Sequence, residues 1–386
     1  MATLRRSGNL KDSAAVARAV CILAPNQFET GMTTSWPKST NAPQWEVTQP
    51  DVASLREPLL GLWQRNLPTA AEHRFDWLYG SGRARAWLLS ERDSTSAGAA
   101  GLLLRRMSVA GRMVECGAAI DLNVDQTQRS VGPALTLVRA VTGAADREGR
   151  EVLFGMPNRS ATAVMKRAGY QELGEFSCWT KLLSSRQKLD RVLRLRWASR
   201  LVAPLADKAL QLLSAEWRAR LPRPVVAESL SHFDSRFDRL WSDSSRQFDV
   251  IGERTQEYLS WRFASCPDLA YDIFTLASRE TGELLGYVVW YADEGAVSIS
   301  DLLAVDEPTT VLLLAEFSRT VRRTKAAAIR FGCFGSPAFY RLLQRAGFHR
   351  RQNRHVILSR FEGESKTAIR EGANWFLTMA DSDTDV

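Results

Sequence analysis

The chain has 386 residues, 24% charged and 45% apolar, with a formal net charge of +8; these proportions match a soluble globular protein of two ordinary domains. Cys21, Cys116, Cys178, Cys266 and Cys333 lie far apart with no C-x-x-C pair, and His73, His232, His349 and His355 form no H-E-x-x-H. That excludes a disulfide framework, a zinc knuckle and a metal centre, and it points to a reducing cytoplasm.

Met1–Arg6 is basic and the apolar run Ala14–Pro25 is interrupted by Arg18, so the first 44 residues are expected as a flexible lead-in rather than a signal peptide. No run reaches about 18 uninterrupted apolar residues, the length of a spanning helix. Thr30–Pro43 has a loop composition, and Trp45–Thr48 reads as a first strand. Ser54 and Glu57 have capping-box spacing. Leu55, Leu59, Leu62 and Trp63 recur at helical intervals up to Asn66. After Phe75–Tyr79, Ala86–Ser90 is strand-like. Ala99–Val109 and Met113–Val124 form an expected hairpin turning at Ala110–Arg112.

Asp121–Arg139 is the stretch that carries chemistry. It reads as strand, turn and helix. Gly132 removes side-chain bulk, Arg129 supplies positive charge, and Pro133 suits a first helical position. Such a helix start offers free N–H groups and a positive dipole end to a phosphate. Ala134, Leu137, Val138, Val141 and Ala145 share one helical face. A buried strand at Glu151–Gly155, a helix at Asn158–Gly169 and a strand at Phe176–Leu183 follow.

Between Arg186 and Arg223, ten Lys and Arg residues face Asp190, Asp207 and Glu216. This stretch is expected as a basic amphipathic helical linker with one face packed and the other solvated; contact with an anionic membrane surface is a second use open to it. It shows no DNA-binding motif.

Beyond Glu228 the same order recurs. Trp261, Asp301, Phe331 and Gly347 echo Trp77, Asp121, Phe154 and Gly169 at offsets of 184, 180, 177 and 178 residues. The second copy reads Asp306–Glu307–Pro308 where the first has its loop, with no Arg or Gly before the helix. Glu307 would repel a pyrophosphate. Trp375–Leu377 is expected to add a last strand or plug a groove, and the acidic end Asp381–Asp385 to be solvated.

The spacing Arg129-x-x-Gly132-x-Ala134 resembles the pyrophosphate loop of the GNAT superfamily, the GCN5-related acyl-CoA-dependent N-acyltransferases. Residues 45–362 taken whole resemble a tandem GNAT protein of the kind encoded with bacterial exopolysaccharide machinery. The resemblance implies an α/β fold of α+β mixed-sheet type. Its parts would be a lead-in (1–44), a cofactor-binding GNAT-like domain (45–183), a linker (184–226), a degenerate GNAT-like domain (227–362) and a tail (363–386). It implies transfer of an acetyl or other acyl group from acyl-CoA directly to a small-molecule amine such as an amino sugar. Val124 would present backbone to the pantetheine arm, while Arg129, Ser130, Val131, Gly132 and Ala134 would cradle phosphate. Asn158 falls where the family often uses an Asn to touch the cofactor; its alternative role is a plain helix cap. The family often places a Tyr as the acid that protonates the thiolate, but here that position is Met165, and Leu343 in the second copy. Glu115 and Asp121 remain as candidate bases; the favoured reading of Glu115 is a surface cross-strand ion pair rather than a buried mid-strand carboxylate of raised pKa, and that of Asp121 a capping or turn-bonding role. Trp77 and Tyr79 are either sugar-facing or core aromatics. Two rival functions stay open: a FemABX-like transferase using aminoacyl-tRNA, and a CoA-binding scaffold without catalysis.

Overall fold

The computed structural model describes residues 45–66, 72–91, 96–184, 216, 221–293, 295–369 and 372–383. The expected lead-in and nearly all of the basic linker lie outside them. The chain divides into two compact units.

The first holds the residues up to Leu103, together with Ala119–Glu148 and Asn158–Tyr170. Here β1 (Trp45–Thr48) pairs antiparallel with β2 (Ala84–Glu91), Trp45 opposite Glu91. β2 in turn pairs antiparallel with the start of β3 (Gly98–Val109), Ala84 opposite Leu103. Between β1 and β2 come α1 (Val52–Asn66), α2 (Glu72–Phe75) and a π-helical turn, Asp76–Gly80. The periodic Leu55, Leu59, Leu62 and Trp63 of α1 are all buried, as their spacing requires. Removing one such leucine side chain costs about 2–5 kcal/mol. The helix starts earlier than the capping-box spacing suggests: the Asp51 carboxylate accepts from Ser54 N at 2.8 Å, so Asp51 is the cap and Ser54 lies inside the first turn. α3 (Val131–Arg147) and α4 (Arg159–Arg167) complete this unit, α3 burying Ala134, Leu137, Val138, Val141 and Ala145.

β3 and β4 (Arg112–Val124) each contribute residues to both units. They are joined through Ala110 (φ 50) and Gly111 (φ 80), two successive left-handed residues that match the twist of a tight hairpin.

The second unit is built on a mixed sheet. β7 (Val225–Leu230), β9 (Asp272–Ser278), β10 (Leu284–Asp293) and β11 (Ala296–Ala304) run antiparallel in spatial order. β12 (Ala328–Phe334) joins β11 in parallel. β6 (Gln171–Leu182) pairs with β12, β13 (His349–Phe361) with β6, and β5 (Val152–Gly155) with β13, all antiparallel. β5 closes the series in parallel with Cys116–Ala118 of β4. The helices of this unit are α5 (Arg236–Ser244), α6 (Gln256–Leu259), α7 (Glu307–Arg322), α8 (Pro337–Arg345) and α9 (Gly363–Ala368). A second π-helical turn spans Ser260–Ala264.

Two short strands complete the unit, β8 (Val250–Gly252) and β14 (Trp375–Thr378). β11 and β12 are paired only over Val297–Ile299 and Ile329–Phe331. Farther along β12, Cys333 and Phe334 pair with Thr378 and Leu377 of β14 instead. The tail therefore supplies a strand, and Asp381, the first residue of its acidic end, is not solvated as expected. Asp381 is fully buried, bonded by Arg105 Nη2 at 3.0 Å and Arg254 Nη2 at 2.6 Å. Burial alone would raise the Asp381 carboxyl, but Arg254 and Arg105 outweigh it and hold the group below its usual range. Arg254 also pairs with the buried Asp301, to which Thr378 Oγ1 donates at 2.6 Å. Glu216, one of the few described residues of the expected linker, is buried too: Lys181 and Arg322 both bond its carboxylate, Arg322 at 2.7 Å. Among the described residues no helix is long and apolar enough to cross a membrane.

One series of elements occurs twice along the chain. α1, α2, π-turn, β2, β3, β4, α3, β5, α4 and β6 are followed by α5, α6, π-turn, β9, β10, β11, α7, β12, α8 and β13, with β8 as an insertion. The last strand of each series pairs with the penultimate strand of the other, β6 with β12 and β13 with β5.

Candidate cofactor-binding site

The site lies in the first unit, at the end of β4. Along β4 burial alternates at Val114, Cys116, Ala118 and Ile120, then loses phase, with Asn123 and Val124 both buried. The break falls at Asp121, whose φ of 51 is left-handed, a costly conformation for a residue with a Cβ and one that collects at functional sites. Its carboxylate is held by Tyr79 Oη at 2.7 Å and Arg74 Nη2 at 3.3 Å. Gly101 makes room for this contact, since a Cβ there would lie 2.5 Å from the Tyr79 hydroxyl.

After Val124 the chain makes a short 3-10 turn, Gln126–Gln128, before α3 begins. Asp125 caps that turn, accepting from Thr127 N at 3.1 Å and from Arg65 Nε at 2.8 Å. The Thr127 amide, Arg65 and the Thr127 hydroxyl together hold its carboxyl below the usual carboxylate range. Arg129 comes next, its Nε 3.4 Å from the Val124 carbonyl. Ser130 is the cap of α3, but its side chain makes no capping bond. The first amides of α3 are therefore left to other acceptors, as at any helix start without a side-chain cap. Pro133 is the third helical residue rather than the first, so the donors here are the N–H groups of Ser130, Val131 and Gly132. Ala134 is tucked into the core, and a Cβ on Gly132 would meet nothing within 4 Å. The result is open space, free N–H groups, a positive dipole end and a guanidinium in one place, a fit to a diphosphate.

The remaining candidates divide. Val124 and Arg129 are brought together, and the Val124 carbonyl also accepts from Asn66 Nδ2 at 3.4 Å. Asn158 caps α4, its Oδ1 accepting from Ala161 N at 2.9 Å. Trp77 and Tyr79 are 6% and 0% exposed, so they are core aromatics and do not line a cleft for a sugar ring. Tyr79 packs on Phe75 and Trp63 at centroid distances of 5.5 and 6.3 Å. Glu115 belongs to the second unit and its side chain is 58% exposed; Arg150 Nη1 bonds it at 3.2 Å in a surface ion pair, the reading favoured over a buried base. Met165 and Leu343 are buried apolar residues in their respective units.

Sequence reasoning missed Asn66 and Asn123. Asn66 Nδ2 donates to Asn123 Oδ1 at 2.8 Å. A helix end and a strand end do not announce their pairing; the one available signal was polar Asn123 set between Leu122 and Val124 near the end of β4.

No protein-family model and no curated protein matches the chain. Solved structures do. A probable N-acyltransferase from Enterococcus faecalis V583 has a TM-score of 0.62 at 12% identity, covering 82% of this chain and 72% of that one. A GCN5-related N-acetyltransferase from Anabaena variabilis gives 0.60 at 12% identity, over 82% and 73%. The N-myristoyltransferase of Saccharomyces cerevisiae, solved with myristoyl-CoA bound, gives 0.51 at 12% identity, over 85% and 80%. The chain thus has the mixed-sheet fold of GCN5-related N-acetyltransferases. At these identities the likeness is one of fold.

Proposed function

We propose that the protein is an acyl-CoA-dependent N-acyltransferase with a single cofactor site, at the start of α3. The observation that carries this reading is the uncapped helix N-terminus beside Arg129, placed directly after a strand with a left-handed residue. Ser130, Val131 and Gly132 would hold the pyrophosphate through their N–H groups, and Arg129 through its charge. Val124 would offer backbone to the pantetheine arm. Acyl-CoA supplies an activated thioester carbonyl. The acceptor nitrogen attacks that carbonyl, the carbon–sulfur bond breaks, and the nitrogen loses one proton while the departing sulfur gains one. Asp121 is the candidate base on this strand, yet Tyr79 and Arg74 already hold it, which suits orienting the strand better than taking a proton.

The chain also reads as two GNAT-like domains, 45–183 and 227–362, joined by 184–226 and followed by the tail 363–386. The doubled element series supports this, and the exchange of last strands accounts for a second compact unit that holds strands of both halves. A cytoplasmic setting, an amino-sugar acceptor and a place in polysaccharide synthesis belong to the same proposal. Met165 and Leu343 supply no proton, an observation that favours a second reading, a CoA-binding protein without catalysis.

Calorimetric titration with acetyl-CoA and longer acyl-CoAs tests both. The wild type is expected to bind, and Arg129→Glu to bind about 10- to 100-fold more weakly through loss of a charge-assisted contact and gain of repulsion. A wild type that binds no acyl-CoA overturns the proposal. Binding without product across a broad amine screen supports the non-catalytic reading, while salt-sensitive binding of aminoacyl-tRNA in its place supports the FemABX-like one.

A further inference from the structure

β11 and β12, the second copy's counterparts of β4 and β5, run side by side for only a short way. Val297–Ile299 pairs in parallel with Ile329–Phe331, as Cys116–Ala118 pairs with Val152–Phe154 in the first copy. Pairing stops at the same point of the repeat. Beyond it, in the second copy, the edge of β12 is taken by the end of the chain. β6 covers one edge of β12 from Ala328 to Cys333, so β14, paired with Cys333 and Phe334, lies on the other edge, the one that β11 holds farther back. From there Thr378 Oγ1 donates to Asp301 of β11 at 2.6 Å. The tail thus fills the gap where the two parallel strands part.

This segment is held as a bound peptide is held. β14 pairs through its backbone with two strands, antiparallel with β12 and in parallel with β8, Trp375 opposite Val250 and Phe376 opposite Ile251. The Phe376 ring stacks on Phe248 at 4.9 Å and meets Phe339 edge-on at 5.0 Å. In the turn that follows, Arg105 Nη1 and Tyr258 Oη donate to the Ala380 carbonyl at 2.9 and 2.6 Å, and Arg262 Nη2 donates to the Met379 carbonyl at 2.9 Å. Arg254 Nη2 holds the Asp381 carboxylate at 2.6 Å. Gly252 leaves the room this needs, since a Cβ there would lie 1.9 Å from an Asp381 oxygen. A backbone ladder, a seat for an aromatic ring and cations for a carboxylate are the parts of a site that takes an extended peptide by strand addition.

We propose that the gap between β11 and β12 is a peptide-binding site whose ligand is the chain's own Trp375–Asp381. The segment bonds the residue that repeats Asp121, on the strand that repeats β4, so it stands where a pantetheine arm would lie in the second copy. That part of the inference rests on the acyltransferase reading. Asp306 caps α7 and Glu307 adds negative charge, which denies a pyrophosphate that helix start, and the tail denies the arm its strand. One copy is left open to cofactor, and the other is closed by the protein itself.

A specific protease sequence inserted after Ile369 lets the tail be cut from the folded full chain. The cut protein should keep its far-UV circular dichroism and take up a labelled synthetic peptide of residues 373–383 in exchange for its own tail. The same peptide with Asp381→Asn should bind about tenfold more weakly or worse, through loss of the charge-assisted bonds to Arg254 and Arg105. A cut protein that unfolds, that admits no peptide, or that takes both peptides equally overturns the peptide site. The intact chain supplies a second measurement without any variant. Acetyl-CoA should bind it with a stoichiometry of one and leave amide exchange across 375–381 unchanged. Two acetyl-CoA molecules per chain, or faster exchange in that segment, would show cofactor entering the second copy and overturn the proposal, while the acyltransferase reading stands. Peptide exchange as expected with no acetyl-CoA binding overturns the acyltransferase reading and leaves the peptide site.

Discussion

β4 and β11 each lead into a long helix, and each is followed within two residues by an aspartate, Asp125 and Asp306. After β11, Asp306 caps α7 directly, its carboxylate accepting from Thr309 N at 2.7 Å, with Pro308 in the first turn and Glu307 beside it. The amides at that helix start have a partner and a negative neighbour. After β4, Asp125 is used on the 3-10 turn, and α3 starts only at Val131 behind an idle Ser130. The insertion Gln126–Ser130 thus moves the carboxylate away from the helix and leaves the first amides of α3 without a side-chain cap. A helix start binds a phosphate when its own chain does not already supply the anion.

The strands upstream differ in the same sense. Asp121 is bonded by Tyr79 and Arg74, whereas Asp301 is fully enclosed by Arg254, Tyr287 and Thr378. The largest expected effect follows. Arg254→Leu leaves two buried carboxylates, Asp301 and Asp381, without their shared cation, a loss of about 3–5 kcal/mol. Arg74→Leu leaves one carboxylate that Tyr79 still bonds, and about 1–3 kcal/mol is expected. Urea unfolding of the two variants measures the difference, and equal losses would erase the contrast between the strands. The Asp381 carboxyl is held low in the folded state, so its contribution is present above the unfolded value of about 3.9 and is lost as pH falls through the lower folded value. Asp381→Asn should therefore flatten the stability curve below about pH 4, and an unchanged acid limb would rule out that coupling.

Much of this was readable from the chain. The series of strands and helices followed from period and turn chemistry, because Leu55 to Trp63 and Ala134 to Ala145 repeat at 3.6 residues and Ala110–Gly111 marks a hairpin. The loop at Arg129 was readable because its residues are contiguous. Asp381 in the core was misjudged because it depends on which partners lie across space, whereas the Asp51 cap was misplaced at Ser54 although its bond is local. Burial of Asp381 needs Arg105 and Arg254, 276 and 127 residues away. The pairing of Asn66 with Asn123 is of the same kind, a contact between helix and strand ends that no local pattern encodes.

The next effect is one of ligand rather than fold. Gly132→Glu directs a side chain into space where a Cβ meets nothing, so stability should change by less than about 0.5 kcal/mol. The added carboxylate gives α3 the negative neighbour that Glu307 gives α7, and acyl-CoA binding should weaken by roughly tenfold or more. Calorimetry beside a melting curve separates the two. Retained binding would show that the amides of α3 do not receive the phosphate.

The smallest effect isolates the caps themselves. Asp306→Ala removes the side-chain cap of α7, and about 0.5–2 kcal/mol of stability should go with it. Ser130→Ala removes a hydroxyl that caps nothing, so it should stay within about 0.5 kcal/mol of the wild type. Chemical denaturation of the pair reads that difference without any ligand. Added acyl-CoA then turns the pair around. The ligand should raise the melting temperature of Ser130→Ala as much as that of the wild type, since the binding amide is backbone and survives the change. A large intrinsic loss for Ser130→Ala would mean that α3 is capped by its own side chain after all, and the two helix starts would then be alike.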